Sequence, residues 1–243
     1  MKTSSNPVFG DGAVKKAKSE MSASGLMTVS GTMQKTFLLF FLFVASALIS
    51  WKALASNADI AVPLMVGGGV VAFVVAIMII FSKPSPVLTM LYSIAQGLTI
   101  GGISYYYADM WDGIVSQAVL LTVGITLGMY LAYATGFVKV TEKVKSIIII
   151  GTLGVLFYYL ITFVLSLFGV NMTSLFTGTT GVVIGTVIVI IAALNYLLDF
   201  DFIEKSAKAE APKQFEWYGA FGLIVTLIWL YLSILQLLAV SKN

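Results

Sequence analysis

The sequence predicts an all-α integral membrane protein with seven transmembrane helices, and three observations carry that reading. Hydrophobic residues make up 59% of the 243 and charged residues only 10%, against about 25% charged in a soluble domain. Seven apolar stretches are each long enough to cross a hydrocarbon core, which takes roughly 20 helical residues. Once those seven spans are drawn, the lysines sort to one side of the membrane.

Residues 1–35 are polar, Gly/Ser-rich and mildly basic. A secretory signal would place its apolar stretch close behind a basic start; here the apolar run begins only at Thr36. The expected organisation is a cytoplasmic tail, 1–35, ahead of a membrane domain, 36–243. The first span is 36–54 and the second 60–81. The third, 87–107, follows "SKPSP", whose two prolines mark a break. The fourth is 115–137, the fifth 147–169, the sixth 176 to about 198 or a little beyond, and the seventh 218–240. Backbone groups have no water to bond inside a bilayer, so a span is a helix or a barrel strand. Runs such as "VVAFVVAIMIIF" lack the alternation of barrel strands, which leaves helices. No repeat of fixed period and no inverted pair of halves is visible.

Arginine is absent, so all 14 cations are lysines. With seven spans, Lys2, Lys15, Lys16, Lys18, Lys35, Lys83, Lys139, Lys143, Lys145, Lys205, Lys208 and Lys213 share one side, and only Lys52 and Lys242 the other. The bias places the N-terminus in the cytoplasm and the C-terminus outside. One span more or fewer would scatter the lysines across both faces.

Composition also removes chemistry. Without cysteine or histidine there is no disulfide, thiolate metal site, Cys/His nucleophile pair or histidine switch. A net charge of +3 is too small to suggest nucleic acid. Acid–base or cation chemistry falls to carboxylates, lysines, tyrosines and backbone oxygens.

Glycines four apart, at 97/101, 124/128 and 181/185, are expected to let helices approach closely, and "VGGG" at 66–69 to loosen the second span. Trp51, Tyr105, Tyr106, Tyr107, Trp111, Trp217 and Tyr218 read as an interfacial belt. Asn171 opens a glycosylation sequon in a short outer loop, read as accidental.

Most of the 11 acids fall in expected loops. Asp199 and Asp201, in "LLDFDFIEK", adjoin the sixth span. If the helix continues, they point about 200° apart, while Asp201 shares a face with Glu204 and Lys205. One aspartate then faces the bundle interior and the other faces headgroups or Lys205. Ionisable residues within a membrane mark ion or proton paths by default, so a carboxylate here reads as a latch at the inner mouth. An ordinary helix end, its acids opposed to lysines, reads equally well. Gln96, Gln117, Asn195, Ser104, Thr226 and Ser233 are uncharged and read as bonds across helices, worth about 0.6 kcal/mol each.

Six motifs taken together resemble the Bax inhibitor-1 (transmembrane Bax inhibitor motif) family, in its bacterial YccA-like branch. They are "NPVF" in the tail, "MTVSGTMQKT" before the first span, "PSPVLTMLYSIAQGLTIGGIS" around the third, "QAVLLT" opening the fourth, "ALNYLLDFDFIE" closing the sixth and "WLYLSILQLL" in the seventh. The resemblance implies a bundle with one central helix wrapped by the others, in a bacterial inner membrane. It implies a pH-sensitive calcium leak in which a carboxylate ending the sixth helix pairs with one in the seventh. Asp199 matches the first best, then Asp201. Ser233 stands where the family usually has Asp or Glu, and Gln96 where relatives in this branch often have Glu. A serine hydroxyl carries no charge. Asp199 and Ser233 meet only if the sixth helix ends deep in the bundle, because Ser233 lies about 22 Å along a helix starting at 218.

The expected function is a pH-sensitive cation leak channel. Asp199, Asp201, Glu204 and Ser233 are its ion path and latch, Gln96 and Asn195 its polar support, and Asp199 and Asp201 its oxygens for a transient calcium ion. The alternative is a regulatory or scaffold protein that binds another membrane protein, such as a protease, through the tail. No resident cofactor is expected; the partners are the bilayer and that protein, and the chain is expected to be a monomer. An intramembrane aspartyl protease needs two aspartates on facing helices. Neighbours on one segment do not supply that, so an enzyme is not expected.

Overall fold

The computed structural model describes residues 25–56, 58–82, 85–170 and 177–242. The "NPVF" motif, Lys83 and the Asn171 sequon lie outside them. The described residues form seven helices: α1 (Val29–Ser56), α2 (Ala58–Phe81), α3 (Pro86–Met110), α4 (Ile114–Ala134), α5 (Glu142–Leu167), α6 (Gly178–Lys208) and α7 (Phe215–Ser241). All seven are long and apolar enough to cross a membrane.

Helix ends depart from the apolar limits wherever a polar residue caps or extends the coil. The α1 helix starts at Val29, ahead of the apolar run, because the Thr28 hydroxyl accepts the Gly31 N–H at 2.9 Å. The α5 helix starts at Glu142, where Thr141 accepts from the Val144 N–H at 3.3 Å and an acid occupies the first turn. The α4 helix stops at Ala134, with Gly136 just beyond in the left-handed region at φ 71°. The largest departure is α6, which runs past 198 to Lys208. Its polar end has no breaker and is braced by i,i+4 pairs, Asp201–Lys205 at 3.0 Å and Glu204–Lys208.

The central helix is α7, which packs on α1, α3, α4 and α6. Its Ala220, Ile224, Leu230 and Leu235 are wholly enclosed. The α2 helix lies on α3 and α1, and α5 lies on α6. The 97/101 glycines seat α1 against α3: a Cβ at Gly97 would lie 2.3 Å from the Phe43 carbonyl oxygen, and one at Gly101 2.1 Å from that of Ala47. Gly124 and Gly128, expected to pack likewise, face open space instead. The "VGGG" stretch is unbroken helix, and Gly68 brings α2 to within van der Waals reach of the Ala95 carbonyl of α3.

Candidate functional site

One end of the bundle gathers the start of α1, the α4–α5 connection, the end of α6 and the start of α7. Cross-links show this: Lys145 pairs with Asp201, Tyr133 donates to Glu204, and Lys35 pairs with Glu216. Because α6 continues to 208, all three acids of the "DFDFIE" motif lie on regular helix, and the helical period sends them to different neighbours.

Asp201 is buried, 8% exposed, and held by Lys145 of α5 at 2.9 Å and Lys205 at 3.0 Å. Glu204 accepts from the Tyr133 hydroxyl of α4 and from Lys208. These two fasten α6 to α4 and α5. Asn195 adds to that side: its amide donates to the Thr152 hydroxyl of α5 at 2.9 Å and to the Ile191 carbonyl at 2.8 Å.

Asp199 faces the other way, onto α7. The Thr226 hydroxyl donates to its Oδ2 at 2.6 Å, and a Cβ placed on Gly222 would lie 3.5 Å from its Oδ1. Among the described residues no lysine lies within ion-pairing distance of it. The carboxylate borders a cavity of about 270 Å³ between α6 and α7, lined also by Phe202, Tyr218, Phe221 and Val225. A carboxylate with a single hydrogen bond from a neutral hydroxyl, beside space for water or an ion, can exchange a proton or meet a cation with little rearrangement.

The remaining expected residues lie elsewhere. Ser233 donates to the Trp229 carbonyl of its own helix at 2.8 Å and lines a narrow crevice with Tyr158, Tyr159 and Gly185. It is seven residues past Thr226, about 10.5 Å farther along α7, and does not meet Asp199. Gln96 is half-buried on α3 without a side-chain partner among the described residues. Asp199 and Asp201 do not converge, so the structure brings together no calcium site shared between them. Among the described residues no three acids cluster as metal ligands.

The residue opposite Asp199 is Thr226, two positions from the one that the helix bounds mark. Lys208 and Phe215 bracket the α6–α7 connection, whose midpoint falls between positions 211 and 212. Antiparallel helices place equidistant residues side by side, which sets position 224 level with 199. The residue that sequence reading missed is Glu216. Counted with the loop 199–217, it is instead 1% exposed and bonded to Thr28 and Lys35.

Residues 6–243 match the family model described as Bax inhibitor 1 like. The chain belongs to the Bax inhibitor-1-like family. No curated protein matches it. In this Bax inhibitor-1-like bundle Asp199 lies within α6 and faces α7, where its hydrogen-bond partner is Thr226, seven residues nearer the connection than Ser233.

Proposed function

We propose that the chain is a pH-sensitive cation leak channel, calcium being the favoured ion, with Asp199 at its gate. The observation that carries this reading is the half-buried Asp199 carboxylate, without a lysine partner among the described residues, bridging the α6–α7 seam to Thr226 beside a cavity of about 270 Å³. Charged, it accepts the Thr226 hydrogen bond and draws the two helices together. Protonated, or bound to a hard cation that prefers oxygen ligands, it no longer needs that hydrogen bond, and the seam is released. The other titratable group lining the cavity is Tyr218. Asp201 and Glu204 are already engaged by lysines on the opposite side. The lysine-rich end faces the cytoplasm of a bacterial inner membrane, following the positive-inside bias.

Calcium flux into proteoliposomes from pH 5 to 8 tests this. The intact chain raises flux in a pH-dependent way and Asp199→Asn removes that dependence. Liposomes holding the protein that are no leakier than empty ones across the range overturn the reading. A second reading, a regulatory protein that binds another membrane protein, is favoured by one observation. Met27 donates its N–H to the Ala211 carbonyl at 2.8 Å, so the tail is tied beside the seam, where a partner could reach both. Crosslinking that captures one membrane protein, and loses it when residues 1–24 are deleted, supports it; recovery of the chain alone rejects it.

A further inference from the structure

The motif "MTVSGTMQKT" precedes the first span without serving the gate, and Glu216 is a buried acid that the leak does not use. The structure joins the two. Thr28 is the N-cap of α1, and its hydroxyl accepts the Gly31 N–H at 2.9 Å. In an ordinary capping box a Glu or Gln three residues on would reach back to the N-cap backbone N–H. Here that position is Gly31, and the carboxylate comes from another helix: Thr28 N–H donates to Glu216 Oε1 at 2.9 Å, and the Thr28 hydroxyl donates to the same oxygen at 3.0 Å. Lys35 pairs with Oε2 and lies over the Trp217 ring, 5.3 Å from its centroid. A Cβ at Gly31 would sit 2.3 Å from Glu216 Oε1. Glycine is therefore the residue that leaves room for the borrowed carboxylate. The chain ahead of the cap is tied to the same place, with Leu26 bridging Pro212 and Lys213 N–H donating to the Gly25 carbonyl at 3.1 Å.

We propose that Glu216 and Lys35 are positioning residues: with Thr28 they form a clasp that fixes the start of α7 against α1 and sets the width of the α6–α7 seam at Asp199. The path between them is short and rigid. One turn along α7 from Glu216, a Cβ on Gly219 would touch Thr32 of α1 and Ile203 of α6 at 3.0 Å each. Gly219 and, a turn further on, Gly222 both line the Asp199 cavity, and Thr226 follows. Positions 216, 219, 222 and 226 run up adjoining rows of one helix, over about 15 Å. Displacing Glu216 therefore shifts Gly222 and Thr226 with it. Lys35 is the lysine facing Glu216 among the described residues, and it comes from α1.

The proposal rests on the reading of Asp199 as the gate for its meaning, though its test does not need ion flow. The chain has no cysteine, so one introduced thiol is unique. In proteoliposomes, Val225→Cys reports the seam and Val75→Cys, on α2, reports the bundle away from it, each through its rate of reaction with a water-soluble maleimide. E216Q and K35M, which take one partner from a buried charge pair, and G31A, whose methyl group displaces the carboxylate, each raise the rate at 225 by about tenfold and leave the rate at 75 unchanged. K35R keeps the slow rate. Should the single variants not fold, K35M/E216L removes both charges together, leaves no unpaired ion, and still accelerates labelling at 225. An unchanged rate at 225, or equal acceleration at both positions, overturns the clasp. If the intact protein carries no ion, the gate reading falls, and the labelling rates still decide the clasp.

Discussion

The two sides of α6 are held by opposite means. Toward α4 and α5, Asp201 meets two lysines, Glu204 meets Tyr133 and Lys208, and Asn195 bonds Thr152. Toward α7, across most of the seam, packing is apolar, and the polar link at Asp199 is one hydroxyl. Breaking a buried ion pair leaves an uncompensated charge and is strongly destabilising. Exchanging one hydroxyl–carboxylate hydrogen bond is a matter of about 1.5–3 kcal/mol. In the proposed gate, two aspartates separated by one residue serve as an anchor and as a movable contact.

Asp199→Asn should break this comparison most visibly. The pH dependence of leak between pH 5 and 8 disappears, while the unfolding midpoint in detergent holds or rises, because the variant no longer buries a charge with one neutral partner. Asp201→Asn should do the reverse. It lowers stability by about 2 kcal/mol, below the usual range for a broken buried pair because Lys205 is half exposed, and it leaves the pH profile in place. Denaturant unfolding beside flux separates the two, and an equal loss of pH response in both variants would refute the division of labour.

Little of this contrast could be read before the helix ends were known. The seven spans were legible because apolar length is a strong signal, and the opposed directions of Asp199 and Asp201 followed from the helical period alone. The end of α6 was not, because "DFDFIEKSAK" looks like a loop to a hydropathy scale and becomes helix through its own i,i+4 ion pairs. Without the end of α6 the level of Asp199 on α7 cannot be found, and the motif comparison, which uses no helix ends, points to Ser233. Glu216 was hidden for another reason. Its burial depends on α1 and the α6–α7 connection meeting in space, and the local trace of that meeting is a glycine at 31 where a helix start would usually carry an acid or amide.

Thr226→Val sharpens the comparison from the α7 side. It keeps the shape of the side chain and removes the one donor to Asp199, leaving the carboxylate without its hydrogen bond. The expected loss is about 1–2 kcal/mol, with a higher leak at neutral pH than in the intact chain. A leak unchanged at every pH would mean that the hydrogen bond does not hold the seam.

The smallest effect is expected at the position that motif comparison favours. The Ser233 hydroxyl is spent on the Trp229 carbonyl one turn back. Such a bond within the same helix holds no second helix in place. Ser233→Ala should change stability by less than about 0.5 kcal/mol and leave both leak and pH profile as they are. Ser233→Asp is the sharper variant. At that level of α7 the neighbours are Tyr158, Tyr159 and Gly185, so the new carboxylate would lie about 10.5 Å up the helix from the gate, too far to share a proton with Asp199. It should therefore lower stability without adding a second step to the pH profile. A second step, measured as two separate inflections in leak against pH, would show that α7 slides by two turns to bring 233 level with 199, and the seam described here would then be one of two registers.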